Sequence, residues 1–161
     1  MRNIKLVLIS VLIGVPFVAF GAANGNAQPL RTRGTSANPT VAQPLFSEYK
    51  GIRLGMTATE VRAKLGEPTV KGDDQDYYAI STSEAAQFAY DSTHKVKTIS
   101  IDYQGGLGAP DYRNVVGPDI ETRDDGSLYK LVRYETQRFW VSYHRTAGGA
   151  AITVTITIQK I

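Results

Sequence analysis

The residues of this chain able to move a proton or hold a metal are few and scattered. Its two histidines are His94 and His144. Imidazole is the ordinary general acid and base near neutrality, yet neither histidine sits in the spacing of a metal ligand set or a nucleophile triad. Carboxylates cluster at Asp73-Asp74 with Asp76 and at Asp124-Asp125-Gly126. A calcium loop needs more oxygen ligands in a fixed order, and that order is missing, so both clusters read as hairpin turns. Gly105-Gly106-Leu107-Gly108 is followed by no Gly-Lys-Ser/Thr and reads as a hinge rather than a phosphate cradle. There is no cysteine and no Gly-x-Ser-x-Gly elbow, so familiar nucleophilic chemistry has no machinery. The expectation is a protein that is not an enzyme and carries no cofactor and no metal.

Aromatic residues are the remaining candidates. Nine tyrosines and one tryptophan fall mostly in segments with strand character. Such side chains give rigid, amphipathic contact area at low entropic cost. If Phe139, Val141 and Tyr143 face the helices, then Trp140, Ser142 and His144 face out; the pattern also admits the opposite register. The expected protein-contact residues are Trp140, Tyr129 and Tyr78, with His144 beside Trp140 able to tune the surface with pH.

These residues need elements to hold them. Thr57 followed by Glu60 is a capping box, and Val61 and Leu65 share one face of the helix it starts. Gly66 suits the position just past that helix and Pro68 stops it. Phe46, Tyr49, Ile52 and Leu54 read as a short helix or turn leading in. Tyr77 to Ser81, Ala85 to Tyr90 and Val96 to Tyr103 then read as an antiparallel meander. The same order recurs: Pro110 to Val116 as a short helix ended by Gly117-Pro118, then strands Leu128 to Tyr134, Gln137 to His144 and Ala151 to Gln159. Gly66 and Gly117 correspond at the same offset as Phe88 and Phe139, which suggests an internal duplication. The expected fold is α+β: two tandem copies, about 46–105 and 106–161, each a short helix plus a three-stranded antiparallel meander, with the helices packed on one face of the sheet.

Arg2 and Lys5 precede an apolar run from Leu6 to Phe20 and then Gly21-Ala22-Ala23, the pattern of a secretory signal peptide over 1–23, with cleavage after Ala23 or Ala27. Residues 24–45 read as a flexible tether. Removing Arg2 and Lys5 from eighteen basic side chains leaves sixteen against fifteen acidic ones, too even a balance for a nucleic-acid partner. The mature chain is therefore expected to be exported to the periplasm or beyond, without stable membrane insertion. Lacking cysteine, it has no site for a lipid anchor.

The run Gly55-Met56-Thr57, Glu60-Val61 and Leu65-Gly66-Glu67-Pro68 resembles the opening of the SmpA/OmlA domain, the BamE family, over about Ile52 to Tyr103. The tandem arrangement is also similar to the β-lactamase inhibitory proteins. The resemblance implies a non-catalytic protein-binding module of the bacterial cell envelope, an accessory of outer-membrane protein assembly in BamE's case. The second resemblance implies the alternative, a secreted or periplasmic inhibitor of a hydrolase. Two departures stand out: no acylated cysteine follows the leader, and BamE proper has no second copy.

Overall fold

The computed structural model describes residues 43–148 and 151–161. The expected leader, and the tether up to residue 42, lie outside the described residues.

Chain order begins with a small hairpin, β1 (Glu48–Tyr49) and β2 (Ile52–Arg53), where Phe46 to Leu54 was expected to be helix or turn. Lys50 and Gly51 both take positive φ, the two-residue turn whose twist matches antiparallel strands. The helix α1 (Ala58–Leu65) follows, with both halves of the capping box formed: Thr57 Oγ1 accepts from the Glu60 amide, and Glu60 Oε2 accepts from the Thr57 amide at 2.7 Å. Gly66 ends it at φ 84°, ψ −167°, a conformation essentially restricted to glycine. The Gly66 amide donates to Arg62 O, closing the last turn.

Then come β3 (Val70–Lys71), β4 (Gln75–Ala79), β5 (Glu84–Tyr90) and β6 (Val96–Gln104). After the glycine-rich loop is a single turn of helix, α2 (Arg113–Val116). It is followed by β7 (Glu121–Thr122), β8 (Leu128–Tyr134), β9 (Phe139–Arg145) and β10 (Thr153–Lys160). All eight strands from β3 onward join one antiparallel sheet in the order β3-β4-β5-β6-β10-β9-β8-β7.

This corrects the expected fold class. The protein is mostly antiparallel β, not an α+β pair of tandem helix-plus-three-strand units with a packed helical layer. Each half adds a fourth, two-residue edge strand, and the halves fuse through β6 and β10 into one sheet. The second helix is one turn because Asp111 engages the chain locally, its carboxylate accepting from the Arg113 amide at 2.8 Å, so that regular helix starts only at Arg113.

Alternation divides the sheet into two unlike faces. Phe88, Ile99, Ile101, Val141, Ile156 and Ile158 are fully buried on one face. Over them lie Tyr49 and Ile52 of the hairpin, Val61 of α1 and Val115 and Val116 of α2. Tyr49 and Tyr78 both pack rings on Phe88, and Tyr112 meets Tyr143 edge-on. Among the described residues no helix is long and apolar enough to cross a membrane.

Candidate functional site

Among the described residues no element covers the other face of the sheet, and register fixes what it shows. One row runs from edge to edge through Val70, Tyr77, Gln87, Ser100, Thr157, Ser142 and Leu131. The next runs through Ala79, Ala85, Asp102, Thr155, His144 and Tyr129 to Glu121. A third holds Ala89, Thr98, Gln159, Trp140 and Arg133. Apart from Gln87, Asp102, Gln104 and Gln159, the three central strands β5, β6 and β10 present small or hydroxyl side chains, a floor roughly 10 Å across between outer strand axes. Larger groups stand to either side: Tyr77 and Val70 at one edge, Trp140, Leu131 and Tyr129 toward the other. Val70 and Tyr77, directly paired across β3 and β4, are among the exposed large apolar side chains.

Three of the expected contact residues therefore share one face. Trp140 is half-buried on β9 beside Arg133 of β8 and Gln159 of β10. His144, two residues further along β9, pairs with Tyr129 across β8, their rings edge-to-face with centroids 6.4 Å apart. The Arg123 guanidinium lies over the Tyr129 ring at 5.2 Å, which fixes that ring further. Asp102 accepts a 2.6 Å hydrogen bond from Thr155 Oγ1, one strand from His144. The pattern of β9 left two registers open, and the one with Phe139, Val141 and Tyr143 inward is found.

Tyr78 is elsewhere. It is 4 % exposed on the covered face, and its hydroxyl donates to Gly66 O at 3.2 Å, so it braces the end of α1. Its neighbour Tyr77 is the tyrosine that reaches the open face. Alternation of β4 was legible, but its phase was not, because the polar Asp76 is buried with Tyr78.

The structure does not bring the two histidines together. His94 lies in the β5–β6 turn, beside a cleft of about 600 Å³ that Arg62, Lys71 and Asp73 also line. Asp125 accepts from the Ser127 amide at 2.8 Å in the turn before β8, and Asp73 and Asp74 lie in the turn before β4. Among the described residues no three His, Asp or Glu side chains converge as a metal set.

Asp76 is the site's counterpart on the covered face, and sequence reading missed it. Its carboxylate is fully buried and accepts from Arg62 Nε at 2.8 Å, Arg62 Nη2 at 2.9 Å and the Tyr90 hydroxyl at 2.7 Å. Burial alone would push this carboxyl up; the hydrogen bonds from Arg62 and Tyr90 and the Arg62 charge outweigh it and hold the group below its ordinary value. Burial, with the bond to Asp76, pushes the Tyr90 hydroxyl well up. The triad therefore stays as one carboxylate, one guanidinium and one neutral phenol. It ties α1 to β4 and β5.

In comparison with known proteins the chain matches no protein-family model, no curated protein and no solved structure. Fold and site together define a mainly antiparallel β protein with one covered and one open sheet face.

Proposed function

We propose that this chain is an exported, non-catalytic protein-binding module of the bacterial cell envelope that engages its partner through the open sheet face. One observation carries the reading: among the described residues, one uncovered face gathers Trp140, Tyr129, His144 and Tyr77 around a floor of mostly small or hydroxyl side chains. Aromatic anchors that are held by neighbours but still accessible are what protein contacts use as energetic centres. The basic leader with its apolar run supports export. The run from Gly55 to Pro68 supports an accessory role in outer-membrane protein assembly, as its resemblance to the BamE family implies.

The second reading is an inhibitor that occludes a hydrolase. It is favoured by the shape of the face, since a low floor between taller aromatic groups suits a protruding loop. Affinity capture from cell envelope and culture supernatant separates the two, with Trp140→Ala as the control. A β-barrel-assembly component that the wild type retains and the variant loses supports the first reading; a hydrolase lost in the same way supports the second. Trp140→Ala is expected to weaken the complex by about 2 kcal/mol or more. Unchanged affinity would remove the open face from the binding reading.

A further inference from the structure

On the covered side of the sheet, at the end where Phe139 and Lys160 pair across β9 and β10, the β1–β2 hairpin meets the β8–β9 turn. They leave a cleft of about 440 Å³, a size at which proteins bury small ligands and side chains. Leu54 and Phe139 supply apolar lining and both pack on the core. Arg53, Arg138 and Lys160 also line it, and among the described residues no carboxylate does. Arg53 holds the exposed Glu48 at 2.6 Å. Arg138 and Lys160 enter no ion pair among the described residues. Asp91, whose carboxylate feels the Lys160 charge, already accepts from the Thr93 hydroxyl and the Thr93 and Lys95 amides.

Arg138 is also in an unusual backbone state. It closes the β8–β9 turn at φ 59°, its amide donating to Glu135 O and its carbonyl accepting from the Ile161 amide at 2.9 Å. Glycine or asparagine takes that left-handed position at least cost. The arginine there stands beside two further cations and an apolar floor.

We propose that this cleft is a second contact site, taking an acidic peptide segment that carries one large apolar side chain. The apolar group seats on Leu54 and Phe139, and flanking carboxylates reach Arg53, Arg138 and Lys160. Charge complementarity selects this occupant, because the cations surround a recess with an apolar floor. A flat anionic membrane would instead call for basic side chains standing out from a level surface.

The test is a low-salt calorimetric titration of the whole chain with three blocked peptides: Asp-Glu-Phe-Asp-Glu, its amide counterpart Asn-Gln-Phe-Asn-Gln, and Asp-Glu-Ala-Asp-Glu. The first is expected to saturate at least about tenfold more tightly than the others, and to weaken as salt is added. Arg138→Gly removes the guanidinium while easing the turn, so affinity should fall at least about tenfold with Tm equal to wild type or higher. Trp140→Ala should bind the peptide as wild type does, which separates this site from the open face. Absence of saturable binding, equal binding of the amide peptide, or unchanged affinity in Arg138→Gly would each overturn the proposal. So would retention through Arg138 on vesicles of equal phosphatidylserine and phosphatidylcholine without any binding of the peptide.

Discussion

Asp76 illustrates how one residue changes meaning between chain and fold. In the chain it extends the Asp73-Asp74 turn; in the structure it is fully buried, with Arg62 fourteen positions before it and Tyr90 fourteen after. No local pattern links residues that far apart on three different elements, so the triad was not legible. Its energetics follow from burial. Two charges taken out of water are repaid only by near-complete pairing, and removing one partner leaves the other stranded. Asp76→Asn is expected to cost about 3 kcal/mol in urea unfolding at pH 7. The pH dependence has a definite sign. Because the folded carboxyl is held below its unfolded value of about 3.9, its contribution is complete above that value and is lost as pH falls through the folded one. The acid limb of stability against pH should therefore be shallower in Asp76→Asn than in wild type, and an identical limb would show that the triad does not set it.

Elements were legible where local chemistry is self-sufficient. The capping box, Gly66 and Pro68 bracket α1 because caps act on immediate neighbours, and six segments with strand character recur as β4, β5, β6, β8, β9 and β10. The hairpin β1–β2 and the edge strands β3 and β7 were not legible, since two residues hold no periodicity. The α+β expectation failed for a related reason: a Pro-started, Gly-stopped segment signals where a helix can lie, but its length is decided by competing side-chain bonds such as that of Asp111. For the candidate site, alternation in β9 put Trp140 and His144 on one face together without saying which, whereas Tyr78 was misplaced because a buried Asp76 breaks the simple polar-out rule. At this scale the cap is the testable device. Thr57→Ala leaves the Glu60 amide without its acceptor and should lower stability by about 1 kcal/mol. The loss should appear as a reduced urea midpoint with unchanged m-value; a midpoint equal to wild type would mean that the stitching of Met56 and Ala58 to Val96 and His94 alone fixes the helix start.

The whole molecule is organised around the seam between β6 and β10. Seven residue pairs from Thr153–Gln104 to Gln159–Thr98 join the two halves, and Ile99, Ile101, Ile156 and Ile158 lie fully buried on its covered face. A seam this apolar means that neither half can open without exposing core on the other, so the sheet should unfold as one unit. That matters for function, because the open face spans both halves: Tyr77 comes from one and Trp140, His144 and Tyr129 from the other. If the halves moved independently, the aromatic groups flanking the floor would not keep a fixed separation. Phe88→Ala tests this from a distance, as Phe88 lies at the centre of the first half, fully buried against Tyr49 and Tyr78. The substitution should cost about 3 to 5 kcal/mol. Trp140, in the second half, reports its own surroundings by fluorescence. In the Phe88→Ala variant the Trp140 transition should shift to the same lower temperature as the far-ultraviolet circular dichroism of the whole sheet. A Trp140 transition that stayed at the wild-type temperature would mean two independently melting halves, and the open face would then have to be treated as two smaller surfaces.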